Sequence, residues 1–176
     1  MKRKETIKKN LREKSLVLSK VVTLTSKLYH EGGLSQTQKN LLQTLIGAGI
    51  FYLPGGKDLY SGKISRSAIE SLRNDPKGTR LVKEHSLPRK VSGKLLYEVH
   101  LEDLLKEEGH LEKLFMETMG KYNYVLKSEN DRLRKFQKEE NFTNPEETYR
   151  EAGIELVNLS MDELRIMRKS KEPVFN

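Results

Sequence analysis

The sequence predicts an α+β fold, rich in helix and formed as one domain, on three observations. Apolar residues recur at three- and four-residue spacing from Ile7 to Leu28 and again from Leu41 to Ile46. Two short stretches, Arg80 to His85 and Tyr122 to Leu126, have the length and bounding residues of strands. A chain of 176 residues that is 35% hydrophobic can bury one core, and two independent domains would be cramped.

The elements follow in order. From Glu5 to about Tyr29, Ile7, Leu11, Leu18, Val21, Val22, Leu24 and Leu28 mark an amphipathic helix whose other face is largely Lys and Arg, and Gly32-Gly33 stops it. Ser35, with Gln38 three residues later, forms a capping box ahead of Leu41, Leu42, Leu45 and Ile46, so a second helix starts there and is expected to end near Gly47 or Gly49. Ile50-Phe51-Tyr52-Leu53 before Pro54-Gly55-Gly56 reads as a short extended piece and a turn. Ser65 caps a helix carrying Ala68, Ile69 and Leu72, which Asn74-Asp75-Pro76-Lys77-Gly78 closes.

After the strand ending at His85, Leu101 to Glu107 and His110 to Met119 are expected as two short helices separated by Gly109. Beyond Gly120, the alternation of Tyr122, Tyr124 and Leu126 predicts a strand, with the two tyrosines on one face and packed in the core rather than stacking on bases. Ser128 is read as the cap of a helix over 129–138. Pro145 opens a helix through Ala152, Gly153 ends it, Ile154 to Leu159 is a strand, and Ser160 starts a last helix from Met161 to Lys169. The expectation is two or three short strands among many helices.

Composition narrows the chemistry. There is no cysteine, so disulfides and thiolate metal sites are excluded, and the expected location is the cytoplasm. No run approaches the roughly 20 apolar residues of a membrane-spanning helix, so no membrane partner is expected. Thirty-three Lys and Arg against 25 Asp and Glu give a formal charge of +8, which favours a polyanionic partner because each cation that meets a phosphate releases a counterion. Gly47-Ala48-Gly49 lacks the Gly-Lys-Ser/Thr ending of a phosphate-binding loop, so nucleotide hydrolysis is not supported.

One cluster carries a hint of catalysis. Glu84-His85-Ser86-Leu87-Pro88 resembles the acidic-His-x-x-Pro signature of the HNH, or His-Me finger, endonucleases, and Val125 to Arg132 resembles the strand-to-helix junction at which that family places a metal-binding Asn or His. The resemblance covers about residues 81–137 and implies a ββα-metal unit, interrupted by a helical insertion, over 79–140. A helical N-terminal region over 1–78 would precede it, and a helix-strand-helix extension over 141–176 would follow. It further implies His85 as the general base that takes a proton from water, Glu84 as a metal ligand, and Asn130 as the ligand on the helix, with Asp131 as its nearest substitute. Oxygen ligands suit Mg²⁺ or Mn²⁺. The sequence departs from the family in having Glu where Asp is usual, in setting its helix Asn one place early, and in lacking the Cys-x-x-Cys zinc clamp of many members.

Around the motif, Arg80, Lys83, Arg89, Lys90 and Lys94 are the expected phosphate-contacting residues, with DNA ahead of RNA as partner. His30, His100 and His110 sit among charged residues in helical patterns and receive no role. The first functional expectation is a small HNH-like nuclease of the kind that restriction, phage or toxin systems use. Its rivals are a nucleic-acid-binding protein without catalysis, such as a degenerate nuclease, and an inhibitor, antitoxin or anti-defence protein that grips another protein; a protein partner or a homodimer is a further expectation.

Overall fold

The computed structural model describes residues 2–55, 59–138, 142 and 144–169, with side chains from residue 4 onward; Gly56 of the expected turn lies outside the described residues. The fold is α+β, with helices α1 (Lys2–Glu31), α2 (Gln36–Phe51), α3 (Arg66–Asn74), α4 (Arg89–Glu98), α5 (Leu101–Lys106), α6 (His110–Leu114), α7 (Lys127–Leu133), α8 (Pro145–Glu151) and α9 (Met161–Lys169), and strands β1 (Tyr60–Ser65), β2 (Leu81–His85), β3 (Tyr122–Leu126) and β4 (Leu156–Asn158). The chain forms two compact units, residues 1–59 with 87–121 and residues 60–86 with 122–176.

The first unit is helical among its described residues. α1 buries Leu11, Ser15, Val22 and Tyr29 on one stripe, and it packs against α2, α4, α5 and α6. Val17, Leu24 and Leu28 of the same helix face solvent. Tyr29 and Tyr97 stack with ring centroids 4.2 Å apart. Their hydroxyls are satisfied as buried phenols must be: Tyr29 donates to Glu98 Oε1 at 2.8 Å and accepts from Gln43 Nε2 at 2.7 Å, while Tyr97 meets Thr25 Oγ1 at 2.8 Å.

This unit departs from the sequence pattern at the end of its second helix. The second helix does not end at Gly47 or Gly49 but runs to Phe51, and Ile50 to Leu53 forms its last turn and exit rather than an extended piece. The glycines there are contact points: a Cβ on Gly47 would lie 2.0 Å from the Arg89 carbonyl oxygen, and one on Gly93 2.0 Å from that of Gln43, so the backbones of α2 and α4 touch. α4 itself was not expected. It begins directly after Pro88, whose carbonyl accepts from Ser92 N–H.

The second unit is a four-stranded mixed sheet in the order β2-β3-β1-β4. β3 runs antiparallel to β2 and parallel to β1, and β4 is antiparallel to β1. Strand alternation divides its side chains into two layers. Val82, Val125 and Leu156 pack with Leu133 of α7 and Tyr149 of α8 on one face, while Leu81, Ile64, Tyr124, Leu126 and Val157 pack with Ala68 and Leu72 of α3 and Leu164 of α9 on the other. β1 was not expected and brings the strands to four. Helix α7 starts one residue before the expected cap Ser128 and stops at Leu133, short of 138; the Glu129 carboxylate takes the capping role by accepting the Leu126 N–H at 2.8 Å.

The remaining starts follow their local chemistry. Ser65 Oγ accepts from Ala68 N–H, Asn144 Oδ1 from Glu147 N–H, and Ser160 exchanges bonds with Glu163 in a capping box. Gly153, at φ 63°, closes α8 in the left-handed region.

Candidate functional site

The strand-strand-helix order implied by the resemblance is present as β2, β3 and α7, with Leu81 opposite Leu126 and His85 opposite Tyr122. What the order does to its side chains follows from the register. Glu84 pairs with Asn123 and His85 with Tyr122, and because neighbours along a strand point to opposite faces, Glu84 and His85 are separated by the sheet.

Glu84 lies on the face covered by α7 and α8. It is 3% exposed, its Oε1 accepts from Gln137 Nε2 at 2.5 Å, and its Oε2 is buried without a hydrogen-bond partner among the described residues. Burial pushes its carboxyl up to about 7, and the Gln137 bond offsets only part of that rise. Beside it, Asn123 donates to Ser86 Oγ at 3.0 Å and to the Tyr149 hydroxyl at 2.8 Å, and Ser61 Oγ donates to its Oδ1. Glu129 is equally enclosed, accepting from Ser65 Oγ at 2.5 Å. The sheet unit thus holds several buried, hydrogen-bonded polar groups.

His85 lies on the other face. Its ring meets Tyr122 edge-on at 6.1 Å between centroids, within a cluster in which Tyr60, Tyr122 and Tyr124 contact one another and the Lys83 ammonium sits 4.6 Å from the Tyr122 ring centre. The two tyrosines of β3 thus share a face and serve packing, Tyr122 being 2% exposed.

Asn130 is half-buried on α7, which packs on Glu84's side of the sheet, opposite His85. Asp131 is exposed and engaged by Lys127 at 3.0 Å and Arg134 at 3.6 Å. The Mg²⁺ or Mn²⁺ implied by the resemblance does not fit this arrangement. One carboxylate is enclosed and driven toward its neutral form, the other faces water between two cations, and the imidazole lies across the sheet.

The basic residues near the motif divide between the units. Arg80 and Lys83 are exposed in the sheet unit. In the helical unit, Arg89 is exposed with its guanidinium 3.9 Å from the Phe51 ring centre, and Lys90 and Lys94 are half-buried one turn apart on α4, Lys94 standing 3.9 Å from Glu98.

A second constellation was not anticipated. His100, Asp103 and His110 present one ligand atom each, all within 4.8 Å of one another. His110 Nδ1 lies 3.1 Å from Glu107 Oε2 and its Nε2 3.7 Å from Asp103 Oδ2, and the two imidazole centroids are 6.1 Å apart. Burial, then the neighbouring His110, holds His100 below the usual imidazole range. The sequence signal is weak because the two histidines are ten positions apart, one just before α5 and the other opening α6; the turn at Gly109, φ 97°, brings them together.

Comparison of the chain with protein-family models, with curated proteins and with solved structures finds no match.

Proposed function

We propose that this protein binds nucleic acid without cutting it, through the exposed basic side of α1. One observation carries the reading. Between Lys2 and Glu31 there are nine Lys and Arg against three Glu, so this helix alone holds six of the eight surplus positive charges. Lys4, Lys8 and Arg12 are exposed and follow one another at i, i+4 and i+8, a stripe on a single face in steps of about 6 Å. Like charges at that spacing cost a helix roughly 0.2–0.5 kcal/mol per pair, so the stripe does nothing for the helix itself. A chain of phosphates offsets that repulsion and releases its counterions in doing so.

The non-hydrolytic half of the proposal rests on the sheet's alternation, which sets Glu84 and His85 on opposite faces. The nuclease reading is favoured by the order of β2, β3 and α7, and the experiment includes it. The full chain is titrated into labelled duplex DNA, single-stranded DNA and RNA by fluorescence anisotropy, and in parallel into vesicles containing anionic lipid. Binding to at least one nucleic acid is expected, and replacing Lys4, Lys8 and Arg12 together by Ala should weaken it roughly tenfold or more at about 0.1 M salt. Binding to vesicles alone, or binding that ignores the triple substitution, overturns the proposal. Incubated with plasmid and Mg²⁺ or Mn²⁺, the protein should leave the plasmid intact; cutting that His85→Ala abolishes would establish the nuclease instead.

A further inference from the structure

We propose that His100, Asp103 and His110 bind one divalent cation of the zinc class, independently of any nucleic acid. Two imidazole nitrogens and one carboxylate oxygen suit borderline first-row cations, whereas Mg²⁺ and Ca²⁺ take oxygen ligands. The three ligand atoms already lie within 4.8 Å of one another. Zinc bonds of about 2.0–2.2 Å put tetrahedral ligands roughly 3.4 Å apart, so closure takes side-chain rotations of about an ångström. Asp103, whose side chain is 53% exposed, is free to make them.

A second observation points to a ligand. The Nε2 atom of His110 is buried and has no hydrogen-bond partner among the described residues, and Asp103 Oδ2, at 3.7 Å, is beyond hydrogen-bond length. Glu107 Oε2 at 3.1 Å accepts the Nδ1 proton of the same ring. In the neutral ring that bond keeps the proton on Nδ1 and leaves Nε2, on the side of Asp103, as the ligand atom, the carboxylate-imidazole arrangement that orients histidines on metals. Without a cation, a buried nitrogen is left unsatisfied; with one, each of the four side chains has a task.

The backbone holds the triangle in place. His100 immediately precedes α5, Asp103 stands in its first turn, and His110 opens α6 after the turn at Gly109. Leu104 and Leu111, next to the ligands in sequence, are buried in the helical unit and anchor both helices. A cation there ties α5 to α6, the two short helices against which α1 packs.

The test uses the full chain stripped with a chelator. Titration with Zn²⁺ by calorimetry should show one equivalent, Co²⁺ at the same site should develop visible ligand-field absorption, and excess Mg²⁺ should displace neither. Zn²⁺ should raise the thermal unfolding temperature of the parent. His100→Gln and Asp103→Asn should each weaken binding more than tenfold and remove the thermal shift, and Glu107→Ala, acting through His110, should weaken it roughly 10- to 100-fold. Asp103 is exposed, so its variant keeps the test decisive if a histidine variant fails to fold. Absence of a one-to-one complex, or a complex unchanged in Asp103→Asn, overturns the site.

Discussion

Glu84 shows what a strand does to a pair of neighbouring residues. Its carboxyl is buried and bonded to Gln137, while the next residue's imidazole lies with the tyrosines across the sheet. The motif was legible as residues and as a strand, but its facing depended on the strand continuing in register to His85 itself, which β3 decides from far along the chain. The buried carboxyl has a consequence for stability. Its value is 4.5 when solvated and about 7 in the fold, mainly through burial, so the folded state holds the proton more tightly. Stability from this group is therefore full below the solvated value, declines as pH rises toward 7, and is flat beyond, a loss of roughly 3 kcal/mol. Glu84→Gln keeps the shape and an oxygen for Gln137 to donate to. Urea unfolding should find the variant close to the parent at pH 5 and more stable at pH 8; parallel pH curves for the two proteins would refute the enclosed carboxyl.

Elements whose cause is local are legible in the sequence. The capping box at Ser35, the proline start of α8 and the Ser160 start of α9 all stand where side-chain chemistry put them. Elements whose cause lies elsewhere in the chain are not. β1 contains a glycine at φ 84° and no β-branched run, and its partners are Tyr122 to Tyr124 and Leu156 to Asn158, so nothing within Tyr60 to Ser65 announces a strand. α4 is hard to read from its own residues, because Gly93 interrupts its helical pattern and it is the contact with α2 that requires a glycine there. The glycines of α2 look like stops in the sequence because helix-helix contact leaves no trace in one helix alone. Gly93→Ala separates the two roles: intrinsic propensity favours Ala by about 1 kcal/mol, yet the added methyl would meet the Gln43 carbonyl. The substitution should destabilise the protein by about 1–3 kcal/mol in urea unfolding. A gain in stability would mean that α2 and α4 do not touch there.

For the whole molecule, the α+β class and the charge surplus were readable from composition and pattern. The organisation was not, because each compact unit is assembled from two separated stretches of chain and no composition boundary marks where the chain leaves one and enters the other. The same holds for the His100, Asp103 and His110 cluster, whose members acquire meaning only once Gly109 has turned the chain. Among the described residues no helix is long and apolar enough to cross a membrane. Charge is the property that spans these scales: the sequence shows both the total and its clustering near the N-terminus, and the fold sets that cluster along a helix of 30 residues, about 45 Å long. The claim that this helix meets phosphates is tested most directly by the salt dependence of nucleic-acid affinity. A plot of log affinity against log salt for the parent, and for the variant with Lys4, Lys8 and Arg12 replaced by Ala, should give two straight lines. The variant's slope should be shallower by about 2 to 3, close to 0.9 for each duplex phosphate contact removed. Two lines of equal slope would mean that α1 touches no phosphate, and the proposed function would fall with it.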